Sequence, residues 1–244
     1  MGVSLNMAEV DKILKKSRWE ETKSRSKWHF DPSKEPEESD FLHVCRFAGD
    51  WDNEVKMCIE RSTDFNWTKN QENINKNHKY TGEVQDLVNV NVDPTVVLFS
   101  KTRIDDMPVL KNIVDYLKLE KCETRFHNQK TGQIIHWHLD NFTLLSELDE
   151  TENSEKYSYG KAGQAQRFTV MLDDWKHGQV FAIGNTYFHQ WKRGDCITWN
   201  WKHMPHATGN MGWEERPLLQ ITGWITEETI KILKNSSKNR IVKV

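Results

Sequence analysis

Three residues near the middle of the chain have the types and spacing of a metal site. His136, His138 and Asp140 alternate within the segment HWHLD. Side chains two residues apart on a β-strand point to the same face, so His138 and Asp140 can converge on one ion, with His136 on the same face. One more histidine from a distant strand would give two histidines and one carboxylate, which leaves coordination positions open for reactants. A short H-x-D pattern is also common on protein surfaces, so it predicts a metal site only in combination with other residues.

Two further histidines follow a second strand-like segment. Gly194 and Asp195 predict a turn before the apolar run CITW, residues 196–199, and His203 and His206 come after it. A turn, a strand and a histidine at the strand's far end would bring the missing ligand to the first strand. From the residues alone, either histidine can fill that role, and His136 can compete with His138.

Arg216 is the third candidate for chemistry. It begins the run RPLLQITGW, residues 216–224, which has the character of an apolar strand. A guanidinium in such a strand requires a buried anion, and its planar fork suits a carboxylate that binds bidentately. The alternative is a surface arginine at a strand start, because Glu214 and Glu215 precede it.

Together these segments resemble the 2-oxoglutarate/Fe(II)-dependent oxygenase superfamily, most closely its prolyl-hydroxylase-like branch. The resemblance covers about residues 120–225, and Arg216 follows His206 at the family's spacing of ten residues. The matching segments are GQIIHWHLD (132–140), RFTVML (167–172), GQVF (178–181) and GD (194–195).

The resemblance implies a fold, a ligand set and a reaction. The fold is mainly β: a double-stranded β-helix, or jelly-roll/cupin-like barrel, with flanking helices. The resemblance implies that His138, Asp140 and His206 bind Fe(II), and it therefore favours His206 over His203. It also implies that Arg216 binds the distal carboxylate of 2-oxoglutarate. The implied activity uses O2 and couples 2-oxoglutarate decarboxylation to hydroxylation of a substrate, for which this branch suggests a peptidyl residue.

The chain departs from the family's pattern at two places in the cosubstrate site. The family often has Ser or Thr two residues after the arginine, where this chain has Leu218. It also commonly has a cosubstrate-binding tyrosine on an early strand, where this chain has Arg125, His127 and Asn128. We assign the second contact with 2-oxoglutarate to Asn128.

Two other functions compete with this interpretation. The spacing of His136, His138 and Asp140 also spells the HxHxD motif of zinc-dependent hydrolases of the metallo-β-lactamase type, but that motif continues with His, and Asn141 follows here. A non-catalytic jelly-roll binding module would instead use exposed tryptophans to stack on sugars or bases. The tryptophans available for stacking are Trp175, Trp191, Trp199 and Trp201, which we expect to fill the barrel instead.

The elements that must position these residues are short strands between turn signals, which is typical of a sandwich or barrel. The predicted strands are 95–100, 122–128, 133–140, 167–173, 178–182, 195–201 and 216–224. Asp105 and Asp106 predict an N-cap for a helix over 106–118, and Thr226 for a second helix over 226–234. The basic end, 234–244, is expected to fray.

The rest of the chain predicts a peripheral segment and one domain. Residues 1–40 are a charged arm with a short helix over 7–17, and 41–244 form a single oxygenase domain with its barrel at about 120–225. Residues 62–92 are a polar surface excursion, and substrate choice is expected to depend on the loops 41–92, 141–166 and 183–192. The acidic stretch within 140–166 is expected to be a solvated loop, with a substrate lid as the alternative.

Composition limits the kinds of partner that the protein is expected to bind. The net charge of -2 gives no indication of nucleic-acid binding, and no apolar run is long enough to span a bilayer. Neither a signal segment nor a CxxC pair occurs, since Cys45, Cys58, Cys122 and Cys196 lie far apart. We therefore expect a cytoplasmic protein with reduced thiols, whose partners are 2-oxoglutarate and a separate primary substrate.

Overall fold

Two facing β-sheets form the frame of the molecule. The computed structural model describes residues 40–63, 98–101, 104–131, 134–139, 165–201 and 204–244. The strands are β1 Phe41–Ala48, β2 Leu98–Lys101, β3 Glu120–Gln129, β4 Ile134–His138, β5 Ala165–Met171, β6 Gln179–Ile183, β7 Thr186–Phe188, β8 Asp195–Trp199, β9 His206–Asn210, β10 Arg216–Trp224 and β11 Ile241–Lys243. The helices are α1 Asp52–Thr63, α2 Pro108–Tyr116 and α3 Glu227–Lys234.

The strand order identifies the architecture. The major sheet has the order β11-β1-β8-β5-β10-β3-β2, and the minor sheet has the order β4-β9-β6-β7. From β3 to β10 the chain passes repeatedly between the two sheets, and neighbouring strands in this region are antiparallel. This is a mainly β double-stranded β-helix, a jelly roll, as predicted.

The two faces of the major sheet bury different kinds of side chain. The outer face carries a largely aliphatic core that packs against the helices and includes Phe126, Phe168, Val170, Leu219 and Ile221. The inner face meets the minor sheet through an aromatic core that includes Met171, Phe181, Phe188, Trp191, Trp199 and Leu218. Alternating residues of a strand supply the two cores, as strand geometry requires.

The helices predicted over 106–118 and 226–234 are confirmed as α2 and α3, whereas the one predicted over 7–17 lies outside the described residues, and α2 begins in a different way. Its N-cap is Met107, which makes no side-chain capping bond, and Pro108 follows as the first helical residue. The carboxylate of Glu54, from α1, accepts hydrogen bonds from the Val109 and Leu110 amides at 2.9 and 2.7 Å. Asp106 instead pairs with Arg61. A neighbouring helix therefore caps α2 from a distance, which local sequence patterns do not reveal.

The C-terminal segment is ordered, so the prediction that 234–244 frays is wrong. Strand β11 runs parallel to β1, with Arg46 opposite Ile241 and Ala48 opposite Lys243. The pairing satisfies backbone groups at the edge of β1, and this offsets the cost of ordering the chain end. The sequence analysis did not predict strands β1, β7, β9 and β11 or helix α1.

Several predictions concern residues outside the described ranges. These are the arm at 1–39, most of the excursion at 62–92, and the loop at 140–164. Among the helices that the structure describes, none combines the length and apolar character that crossing a bilayer requires.

Candidate metal and cosubstrate site

Strands β4 and β9 bring two of the predicted metal ligands together. His138 ends β4 and His206 begins β9, and the two residues are paired across the antiparallel ladder. Their ring centroids lie 4.2 Å apart, with the ring planes inclined by 51°. Because metal–nitrogen bonds are only about 2 Å long, two imidazoles must approach closely in order to share an ion. This arrangement suits such a pair.

A register shift within β4 sets the position of His138. Ile135 pairs with Thr208, and three residues later His138 pairs with His206, although β9 advances by only two residues. The extra residue marks a β-bulge, which redirects side chains and is common beside functional sites. Strict alternation, on which the sequence argument relied, is therefore interrupted between Ile135 and His138.

Aromatic rings hold His206 inside the barrel. Its side chain is only 4% exposed, and its ring centroid lies 5.0 Å from that of Trp199 and 6.2 Å from that of Phe181. A ring packed between two others has little freedom to rotate. The packing therefore fixes the direction of the imidazole before any ligand binds.

The carboxylate of the predicted ligand set lies beyond the described part of the chain. Asp140 and His203 are both outside it, and so is the side chain of His136. Within the residues that the structure describes, no group of three or more His, Cys, Asp or Glu side chains is placed to hold a metal ion. The structure therefore provides the histidine pair, and the role of Asp140 stays a prediction.

Arg216 is a buried cation in the same interior. It begins β10 and is 3% exposed, with its guanidinium carbon 5.7 Å from the centre of the Phe181 ring and 6.0 Å from that of Trp191. Its Nε and Nη1 atoms are buried and have no hydrogen-bond partner among the residues that the structure describes. The Phe181 ring also lies 6.2 Å from the ring of His206, so it neighbours both the guanidinium and one member of the histidine pair.

The charge of Arg216 has no counterpart among the described carboxylates. None of the ion pairs between described residues includes it. Burial alone lowers the pKa of Arg216, to about 9, so the guanidinium still carries its charge at neutral pH. An uncompensated buried ion costs several kcal/mol, so an arginine in this position calls for an anionic ligand.

Gln129 on β3 and Thr208 on β9, two polar residues that we did not predict, also face the interior between the sheets. Gln129 is opposite Arg216 in the β3–β10 ladder and is fully buried. Its Nε2 atom donates to the Thr208 hydroxyl at 3.3 Å, which links the major sheet to the strand that carries His206. An inward-facing glutamine in an apolar barrel is the signal that alternation along β3 could have supplied.

The turn between β9 and β10 is fixed by buried amides. The Nδ2 atom of Asn210 donates to the carbonyls of Gln129 at 2.9 Å and Glu214 at 2.8 Å. Gln179 donates to the carbonyls of Glu214 and Glu215 at 3.2 and 3.3 Å. These bonds satisfy a buried backbone and set the point at which Arg216 enters the barrel.

Asn128, the predicted second cosubstrate contact, is not brought to Arg216. It pairs with Pro217, on the face of β3 that carries the outer-core residue Phe126. Its Nδ2 atom donates to the Glu215 carboxylate at 2.6 Å. Our assignment overlooked the parity of β3: His127 and Gln129, not Asn128, share the inner face with Arg216.

The tryptophans offered for stacking mostly fill the barrel. Trp191, Trp199 and Trp201 are buried in the inner core, and Trp175 is half-buried, with its indole N–H donating to the Gln179 carbonyl at 2.8 Å. They therefore form no exposed stacking platform. The two facing sheets also differ from the mixed sheet between helix layers expected of the zinc hydrolase.

Comparison with known proteins finds similarity in fold alone. No family model and no curated protein matches the chain. A cupin domain from Schizosaccharomyces pombe superposes with a TM-score of 0.32 at 8% identity, covering 58% of this chain and 73% of that one. A predicted oxalate decarboxylase from Thermotoga maritima superposes with a TM-score of 0.30 at 12% identity, covering 53% of this chain and 81% of that one. A cupin-superfamily sugar phosphate isomerase from Silicibacter pomeroyi gives 0.27 at 9%, covering 42% of this chain and 50% of that one.

Proposed function

We propose that this chain is an Fe(II)- and 2-oxoglutarate-dependent oxygenase that hydroxylates a substrate still to be identified. The observation that carries the proposal is Arg216, a buried residue that is charged at neutral pH and whose guanidinium has no anionic partner among the described residues. A cosubstrate with a free carboxylate would supply the missing charge.

The donor set fits the implied metal. His138 and His206 offer two imidazole nitrogens at close range, and Asp140 follows His138 at the spacing that the motif requires. Two histidines and one carboxylate suit Fe(II) and leave positions for other ligands. When bound, Fe(II) with 2-oxoglutarate and O2 supplies the oxidising power to hydroxylate an unactivated C–H bond.

The protein's own residues would position and shield the reactants. Arg216 would hold the distal carboxylate of 2-oxoglutarate with two parallel hydrogen bonds, and its rigid fork would fix the direction of the diacid. Phe181, which contacts both Arg216 and His206, would line the path between them. The aromatic inner core keeps water away, which strengthens the electrostatic attraction to the guanidinium.

The direct test is a titration of 2-oxoglutarate into the Fe(II)-loaded protein under argon, followed by its visible charge-transfer band. Hydrogen bonds to charged groups contribute about 1.5–3 kcal/mol, so Arg216→Ala should weaken 2-oxoglutarate binding by roughly 10- to 100-fold. Arg216→Lys should recover only part of this loss, because an ammonium cannot reproduce the fork. Fe(II) binding should survive both changes.

The matched control is Arg61→Ala, which removes an exposed arginine on α1 that pairs with Asp106. It should bind 2-oxoglutarate as the parent does. If Arg216→Ala also binds 2-oxoglutarate as tightly as the parent, the cosubstrate assignment is wrong. If the cosubstrate assignment holds, succinate release measured against pools of peptides, amino acids and nucleic acids would identify the primary substrate.

A further inference from the structure

The inner face of the major sheet changes character along its length. Near Arg216 it combines the apolar pair Leu218 and Met171, on β10 and β5, with His127 and Gln129 on β3. Farther along β10, at Gln220 and Thr222, only polar residues face inward. The side chains that share this second region, by strand alternation from Leu218, are Glu123, Arg125, Arg167, Thr169, Gln220 and Thr222. We call this group the polar mouth.

The strand register brings two arginines to either side of β10. Gln220 is paired with Arg125 on β3 and with Thr169 on β5. Thr222, the next inward residue, is paired with Arg167 on β5. The polar mouth therefore presents two guanidinium groups, an amide and hydroxyls from three adjacent strands, and Glu123 is its one carboxylate among the described residues.

Arg167 is held in a defined position close to the histidine pair. It is 3% exposed, and its Nε atom donates to the Thr222 hydroxyl at 3.2 Å. Because Phe168 pairs with Thr198, the adjacent residues Arg167 and Trp199 are neighbours across the β5–β8 ladder. The Trp199 ring lies 5.0 Å from the ring of His206. Arg167 thus lies one aromatic side chain away from the candidate metal site.

Arg125 is more accessible. Its side chain is 35% exposed, and its Nη2 atom lies 3.8 Å from the Glu123 carboxylate, too far for a hydrogen bond. Such a loose ion pair contributes little to stability, so Arg125 can turn toward a ligand at small cost. One buried and one accessible arginine, on the same inner face, suit an anion that enters from solvent.

We propose that the polar mouth binds an oxyanion of the primary substrate, a carboxylate or a phosphate, through Arg167 and Arg125 with help from Gln220. The inference rests on the proposed function, which supplies the reason for a substrate to lie beside His138 and His206. It adds a substrate class: a molecule with an acidic group near the carbon to be hydroxylated. The charge of Arg216 is then left for the cosubstrate.

The test uses the full chain with Fe(II) and saturating 2-oxoglutarate under argon, so that Arg216 is occupied. The probes are a panel of N-acetyl amino acids, each beside its neutral C-terminal amide, and inorganic phosphate, all titrated by calorimetry. We expect at least one acid to bind roughly 10-fold more tightly than its amide. Binding of phosphate in place of the acids would identify a phosphate-bearing substrate.

Arg167→Gln should abolish the preference for acid over amide, and Arg125→Gln should reduce it about 3-fold, with Arg61→Gln as the unaffected control. If Arg167→Gln does not fold, Arg125→Gln and Arg125→Glu decide the question, because they remove or reverse the charge of the more exposed arginine. Equal binding of acids and amides, or an unchanged preference in the arginine variants, would overturn the proposal. Either result would mean that Arg167 serves only the fold.

A separate titration distinguishes this proposal from the proposed function. The Arg167 and Arg125 variants should bind 2-oxoglutarate as the parent does. A parent protein that does not bind 2-oxoglutarate contradicts the oxygenase assignment whatever the polar mouth prefers. A parent that binds 2-oxoglutarate but shows no preference for acids contradicts the polar mouth alone.

Discussion

The outer and inner cores of the major sheet share strands but differ in chemistry. On β10, Leu219 and Ile221 enter the outer core with the helices, whereas Arg216 and Leu218 face the minor sheet. The outer face buries mainly apolar side chains, with a few neutral polar ones such as Asn128 and Thr198, but the inner side also buries His206 and the cations Arg216 and Arg167. Burying charges is costly, and burying apolar surface is favourable. The outer core therefore offsets the cost of an interior that buries charge.

The largest effect is expected from a cavity in the outer core. Phe126 is fully buried there and lies opposite Leu219. Phe126→Ala should lower the free energy of unfolding by about 3–5 kcal/mol, because it removes contacts that the neighbours cannot replace. Urea denaturation would measure the change, and metal and 2-oxoglutarate affinities of the folded fraction should stay near those of the parent. A loss of stability below about 1 kcal/mol would contradict the division between the two cores.

The second prediction concerns the metal. His138→Ala or His206→Ala should reduce Fe(II) affinity by more than the roughly 10–100-fold that loss of an outer-shell partner causes, and should abolish turnover. Asp140→Ala should do the same, while His136→Ala and His203→Ala should keep most of the affinity. Competition with a chelator would measure the Fe(II) affinity of each variant. Full turnover in His206→Ala, with loss in His203→Ala, would show that the distal ligand was chosen wrongly.

The third prediction separates stability from binding at one residue. Arg216→Met removes a buried charge with little change in volume, so the ligand-free protein should gain about 1–4 kcal/mol in stability. The parent should gain about 2.7 kcal/mol at 2-oxoglutarate concentrations 100 times its dissociation constant, and the variant nothing. Thermal unfolding with and without 2-oxoglutarate measures both effects. A destabilised ligand-free variant would indicate that Arg216 has a structural role.

The smallest effect is expected at a helix end. Thr226 caps α3 by accepting the Thr229 amide at 3.1 Å, and Thr229 reciprocates. Thr226→Ala should cost about 1 kcal/mol of stability, and it should leave metal and 2-oxoglutarate binding unchanged. Thr226→Ser, which keeps the hydroxyl, is the matched control. A change in the metal or 2-oxoglutarate binding constant would show that the capping of α3 is energetically coupled to the inner site.

The sequence was sufficient for the barrel because most of its strands carry a local signal. The runs beginning at Arg167, Asp195 and Arg216 became β5, β8 and β10 nearly as predicted. Strand β9 was missed because His206–Asn210, HATGN, has almost no apolar or β-branched character. Its pairing with β4 and β6 makes it a strand, and this is a long-range effect that local propensity does not contain.

The candidate site was predictable in residue type but not in orientation. The spacing of His138, His206 and Arg216 singled out residues that the structure places around one interior. We assigned Asn128 to the wrong face of β3, because the local sequence does not show which of the two alternating sets of side chains faces the interior. The bulge in β4 was likewise invisible, since its extra residue appears only when Ile135 and His138 are matched to their partners on β9.

The connection between β9 and β10 has a thermodynamic consequence. It joins His206, at the start of β9, to Arg216, at the start of β10, through a turn fixed by Asn210 and Gln179. Any ion that restrains His206 also restrains the chain segment that places Arg216. If both ligands bind as proposed, their affinities are linked, and each raises the other by the same factor. Metal-depleted protein should therefore bind 2-oxoglutarate weakly, and 2-oxoglutarate should slow the loss of the metal.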